Sequence, residues 1–171
     1  MGYGSFVYNL VYLLHLTTVI VGFGSVVATS FLVARARDME PAQGRAVARV
    51  AFQMGRALTT GPVVAAGVFG LLLILLSDEL YTFAQAWVSI AFLLYFAVVG
   101  VLIFLIAPNA KAMDELGSKL ADGSVTVSKS GGAPLEAVEL EERGRKAAAF
   151  TGIVHLCWVL LLLDMVWKPG T

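Results

Sequence analysis

The chain has 171 residues, 58% hydrophobic and 14% charged, with 12 Lys and Arg against 12 Asp and Glu and no formal net charge. So apolar and neutral a composition excludes a nucleic-acid binder built on a basic patch. The single cysteine, Cys157, excludes an intrachain disulfide framework, and no Walker loop, nucleophile elbow, HExxH or paired CxxC occurs.

Four uncharged runs stand out: Met1 to Ala34, Ala57 to Ser77, Leu80 to Ala110 and Ala147 to Leu163. A hydrocarbon core of about 30 Å is crossed by roughly 20 apolar helical residues. A spanning segment must also satisfy its own backbone hydrogen bonds or close into a barrel, and no period-two alternation is present. The sequence therefore predicts an all-α membrane protein. Its four transmembrane helices, near 6–34, 57–77, 83–107 and 147–167, would form an up-down bundle with connections 35–56 and 108–146.

Of the 12 basic residues, all but Lys168 fall in those two connections: Arg35, Arg37, Arg45, Arg49 and Arg56 in the first, Lys111, Lys119, Lys129, Arg143, Arg145 and Lys146 in the second. The positive-inside rule then makes both connections cytoplasmic and puts both termini outside. The setting would be a bacterial inner membrane. Tyr8, Tyr12, Tyr81, Trp87 and Trp167 fall near the outer span ends, where aromatic anchors belong. Ala34-Arg35-Ala36 resembles a cleavage site, but the first run has no basic n-region and far exceeds an h-region of roughly 7 to 15 residues. It is read as a retained span.

In span one, steps of three and four connect Tyr8, Tyr12, His15, Thr18, Gly22 and Val26 or Thr29. This polar, aromatic and small stripe is expected to face protein, with Gly22 and Gly24 beside Ser25 admitting another backbone. The first connection breaks at Glu40-Pro41 and then puts Arg45 and Arg49 on one face of a surface helix leading into span two. Pro62, after Thr59, Thr60 and Gly61, removes a backbone donor and is expected to bend span two, with nearby hydroxyls free to pair the released groups. Spans two and three, joined around Ser77-Asp78-Glu79, are expected to be antiparallel neighbours.

Span three is expected to end at Ala107-Pro108-Asn109. The second connection reads as a short amphipathic helix from Ala110 to Ala121, a linker from Gly123 to Pro134, and a charged helical lead from Leu135 to Lys146. In the lead, Glu139 to Arg143 and Glu142 to Lys146 have the spacing of helical ion pairs, each contributing a few tenths of a kcal/mol. Span four places Thr151, Gly152, Trp158 and Val159 around His155.

Ionisable residues inside membrane spans are rare and are the first to examine for function. His15 lies about 14 Å in from Phe6 and His155 about 18 Å in from Trp167 at the helical rise, so the imidazoles can share one level. Three readings follow. Each histidine can hydrogen-bond across the bundle, to Tyr12, Thr18 or Thr151, and set helix register. Together, His15 and His155 can serve as tentative axial ligands of a b-type haem. With Asp164 they can form a proton or solute pathway. Two histidines alone are too thin a ligand set for a metal ion.

Leu13-Leu14-His15-Leu16, followed by a glycine-containing stretch, resembles the first helix of copper-resistance D-type proteins and of the haem-associated J-type protoporphyrinogen oxidase. Pro62 with Gly67 or Gly70, Trp87, Pro108 and the closing Met165-Val166-Trp167-Lys168-Pro169-Gly170 resemble a bacterial integral membrane family classed as domain of unknown function 2269. That resemblance covers the four spans and not the linker, and it implies a four-span protein with no assigned activity. The haem-associated relatives imply a role for His15. The chain departs from the oxidase in lacking a lysine in span three, and from copper carriers in lacking methionine and histidine clusters.

The expected function is an accessory or assembly subunit binding partners within the bilayer, as a homo-oligomer or part of a larger complex; the sequence favours a non-enzymatic role without deciding it. A haem-binding redox protein and a small proton-coupled transporter or channel are the alternatives.

Overall fold

In a computed structural model the chain is all α-helix, with no strand among the described residues, which are 2–126 and 133–170. The middle of the expected linker, 127–132, lies outside them, and so does Lys129. Helix α1 (Phe6–Ala36) starts at Ser5, whose hydroxyl accepts from the Tyr8 N–H at 3.2 Å. Then follow α2 (Pro41–Gly55), α3 (Gly61–Leu75), α4 (Ala86–Gly100), α5 (Ala107–Ala121) and α6 (Leu135–Trp167).

Two π-helical segments, Arg56–Thr60 and Val101–Ile106, splice α2 to α3 and α4 to α5 without a break. Four continuous helices result, Phe6–Ala36, Ala42–Leu75, Ala86–Ala121 and Leu135–Trp167, each long and apolar enough to cross a membrane. The molecule is a multi-pass membrane protein by this measure.

Pro108 does not end the third of these helices, as the sequence suggested; the helix runs on to Ala121. A proline inside an α-helix clashes with the carbonyl four residues back and cannot bond to it. Each of the two interior prolines, Pro62 and Pro108, follows a π segment directly. The wider turn, with the Ala107 N–H bonded to Leu102 O, shifts the register by one residue and makes room for the ring.

The helices pack as two hairpins. Helix α1 lies along α3 and its lead α2, while α6 lies along α4 and α5. Helices α3 and α4, consecutive in the chain, touch only slightly, and so do α1 and α6. Spans two and three, expected as antiparallel neighbours, meet along a seam between the hairpins, where Tyr95 of α4 reaches Val63 O of α3. On α1 the buried positions Tyr8, His15 and Gly22 recur every seven residues, joined by Ser25 and Val26. That is the period of helices crossing at a shallow angle. It leaves Tyr12 half exposed and Gly24 facing outward with nothing within 4 Å of a Cβ built there.

Each end of the bundle carries polar fastenings, some between the hairpins and some within the one formed by α4, α5 and α6. At one end, the cap beyond the apolar spans, Arg49 of α2 pairs with Asp114 of α5 at 3.6 Å, and buried Asn109 donates to Arg143 O at 3.0 Å. Within α6, Arg143 to Glu139 (2.8 Å) and Lys146 to Glu142 (2.7 Å) form as their spacing predicts. At the opposite rim, Lys168 donates to the Tyr81 hydroxyl at 3.1 Å and lies over the rings of Tyr81 and Trp87, at 4.8 and 5.3 Å. Tyr3 and Tyr8 extend this aromatic rim.

Candidate functional site: a cavity between the hairpins

Along the seam, nearer the Lys168 rim than the charged cap, all four membrane-crossing helices line a partly open cavity of about 60 Å³. Its walls come from His15 and Val19 on α1, Ala66, Gly67 and Gly70 on α3, Ala91, Phe92 and Tyr95 on α4, and Trp158, Leu161 and Met165 on α6. Almost all of this lining is apolar.

The glycines of α3 explain how two polar rings reach this seam. A helical side chain covers the turn N-terminal to itself, so residue i+4 normally screens the carbonyl of residue i. With glycine at 67 and 70, the carbonyls of Val63 and Ala66 are uncovered. The Tyr95 hydroxyl donates to Val63 O at 3.2 Å, and a Cβ on Gly67 would fall inside the Tyr95 ring. His15 Nδ1 lies 2.9 Å from Ala66 O, and a Cβ on Gly70 would stand 3.3 Å from His15 Cε1. A carbonyl oxygen only accepts, so Nδ1 carries the proton and Nε2 keeps a lone pair. The cross-bundle bond of His15 therefore goes to a backbone carbonyl and not to Tyr12, Thr18 or Thr151. Thr18 instead bonds back within α1, to Leu14 O and His15 O at 2.9 Å.

His155 does not line this cavity. The inward face of α6 is centred on Val154, Trp158 and Leu161, which turns His155 roughly 100° away at 3.6 residues per turn. Its Nε2 is buried and finds no hydrogen-bond partner among the described residues. Asp164 is also buried on α6, with Oδ2 unpartnered, and no hydrogen bond joins it to either histidine. The three sequence candidates for chemistry thus occupy separate places. His15 and His155, the tentative haem ligands, share no cavity in this bundle, and the one that His15 lines has a volume of about 60 Å³. No group of three or more His, Cys, Asp or Glu able to hold a metal ion occurs among the described residues.

Gly22 and Pro62 are brought together. A Cβ on Gly22 would sit 3.1 Å from Val63 Cγ2 and 3.5 Å from Pro62 Cβ, so α1 crosses the second span where that helix changes register. Ser25, one turn on, approaches Thr59 Oγ1 at 2.7 Å and Leu58 O at 3.1 Å. Leu58 O is the carbonyl that an α-helix would pair with the N–H of residue 62, which proline lacks. The Ser25 hydroxyl is within reach of that carbonyl, and its single proton is shared between Leu58 O at 3.1 Å and Gly22 O of its own helix at 2.7 Å.

No protein-family model matches the chain, and no curated protein or solved structure matches it.

Proposed function

We propose that this chain is an accessory or assembly subunit of a bacterial cytoplasmic membrane, with both termini outside and the charged helical cap in the cytoplasm. The observation that carries this reading is the cap. The four helices contain 31, 34, 36 and 33 residues, or about 46 to 54 Å at 1.5 Å per residue, against a hydrocarbon core of about 30 Å. The excess is concentrated in α2, α5 and the start of α6, which pack on one another and display Arg45, Lys111, Glu115, Glu141 and Arg145. A pinned, mixed-charge surface at the membrane is suited to holding a partner. Kinship with the domain of unknown function quoted above is part of the same proposal.

The test is native electrophoresis of digitonin-solubilised membranes containing the tagged chain. An assembly several times the 18.2 kDa chain, broken up by the combined changes Arg45→Glu and Lys111→Glu, supports the reading. A single-chain band in every mild detergent overturns it, and co-purification of two differently tagged copies identifies self-association. Orientation is tested by Glu141→Cys in a Cys157→Ser background, where an impermeant maleimide should label only from the cytoplasmic side. The alternative of a haem-binding redox protein is tested by the visible spectrum, where a stoichiometric Soret band that disappears in His15→Ala would support it.

A further inference from the structure

We infer that Arg35, Lys111 and Arg145 form a belt that binds the headgroups of anionic phospholipids in the leaflet at the charged cap. The order of charges along the helices points there first. Leaving each apolar run at the cap end, the first charged residue is basic: Arg35, Arg56, Lys111 and Lys146. The nearest acids lie further out, at Asp38 after Arg35, Asp114 after Lys111 and Glu142 beyond Lys146. At 1.5 Å per residue, this sets a cationic layer against the apolar zone and an acidic layer about 4.5–6 Å outside it. At the opposite rim the order reverses, with Asp78 first after α3 and Asp164 ahead of Lys168 on α6.

The faces on which these residues stand are a second, independent observation. Helix positions seven and four apart share a face. On α1, Leu13, Ile20, Gly24 and Phe31 make an exposed line that ends at Arg35; on α6, Leu163, Leu156 and Gly152 make one that ends at Arg145. Lys111 stands seven residues past Phe104, a ring that is 75% exposed. An exposed apolar face on a membrane-crossing helix meets acyl chains, so each cation stands above the tails of a boundary lipid, at headgroup depth. All three cations are exposed. Arg35 and Arg145 have neither ion pair nor hydrogen bond among the described residues, although Glu141 is spaced for Arg145 as Glu139 is for Arg143 and Glu142 for Lys146. Lys111 holds only a loose, exposed pair with Glu115 at 3.9 Å.

The layering selects the partner. An acidic protein or a nucleic acid arriving from water would meet the acids first, whereas lipid phosphates lie at the edge of the hydrocarbon, level with the cations. A basic residue at an anionic lipid surface confers a preference of about fivefold, the equivalent of about 1 kcal/mol. The belt needs only that the helices cross a bilayer, whichever side the cap faces.

The experiment extracts the full chain in mild detergent from vesicles of equal phosphatidylglycerol and phosphatidylcholine and counts the retained lipids by native mass spectrometry. Phosphatidylglycerol should exceed phosphatidylcholine about fivefold. The ratio should fall toward one in the combined Arg35→Gln, Lys111→Gln, Arg145→Gln variant, while Lys119→Gln, about 12 Å beyond Lys111 on the same helix, should leave it unchanged. Arg35→Gln alone, outside the surface proposed to hold a partner, should lower the ratio without dissociating any assembly, and far-UV circular dichroism checks that each variant stays helical. Equal retention of both lipids by the unaltered chain overturns the inference. So does a fall in Lys119→Gln as large as that in Arg35→Gln, which would reduce the effect to overall charge.

Discussion

Ser25 carries more of the architecture than its size suggests, because its hydroxyl faces the one carbonyl of the second membrane-crossing helix that Pro62 leaves without an α-helical donor. Interhelical bonds of this kind contribute about 0.6 to 2 kcal/mol. Ser25→Ala should lower unfolding stability in detergent by that amount, while Ser30→Ala, which removes only a bond within α1 to Val26 O, should be nearly neutral. The cost of Ser25→Ala should shrink in a Pro62→Ala background, where an N–H is restored; equal costs in both backgrounds would sink this account of Leu58 O. Gly67 makes a second case. Gly67→Ala pushes a methyl into the Tyr95 ring and should cost about 1–3 kcal/mol, the usual range for overpacking. In the double variant with Tyr95→Ala the two changes should be less than additive, measured by a four-member unfolding cycle.

Among the elements, the π segments show how a sequence can hold proline inside a membrane helix without ending it. Both rings need the carbonyl four residues back moved away, and an i→i+5 turn does this with no loss of helical continuity. The N-terminus of α6 has a different device. Glu136 accepts from the Thr126 N–H at 2.9 and 3.0 Å and from its hydroxyl at 2.7 Å, which closes the approach to the helix. Those bonds, led by the Thr126 hydroxyl, hold the Glu136 carboxyl below its ordinary value of 4.5, and the Lys146 ammonium does the same for Glu142. A depressed carboxyl stabilises the fold fully above its unfolded value, and the contribution is lost as pH falls through the folded one. The protection factor of the Thr126 amide should therefore be high at neutral pH and fall toward one only below about pH 4.5. Glu136→Gln should show fast exchange throughout; protection that survives at low pH would remove Glu136 as its cause.

For the whole molecule, Arg49 and Asp114 join the two hairpins at the charged end, while at the other end Lys168 ties α6 to α4 and to the connection between α3 and α4, and the magnitudes differ. Arg49 and Asp114 are 60% and 49% exposed, so their pair contributes about 0–1 kcal/mol and is screened by salt. The rim combines a Lys168 hydrogen bond with cation–π contact to two rings, and a cation–π contact alone contributes about 0.5–2 kcal/mol. Lys168→Met should lower the melting temperature more than Arg49→Ala, and in high salt only the difference made by Arg49→Ala should fade. The reverse order would place the main fastening at the charged end.

The four spans were legible in the sequence because twenty-odd uncharged residues have one stable form in lipid, and the ion pairs of α6 because helical spacing fixes which side chains meet. Helix direction on α1 was nearly legible too, through Tyr8, His15 and Gly22. What failed was rotation on α6: the face drawn through His155 lies one residue off the one centred on Val154, and a single helix with apolar residues all round gives no signal to choose between them. Glycines at 67 and 70 mark uncovered carbonyls at 63 and 66, yet only a neighbouring helix decides which ring takes each one. The sequence by itself determined the number, length and chemistry of the helices, which depend on local hydrogen bonding and solvent. Only the tertiary structure decided that they pair as hairpins, that Pro108 sits inside a helix, and that His15 and Trp158, but not His155, line one cavity. These depend on how closely two particular surfaces can approach.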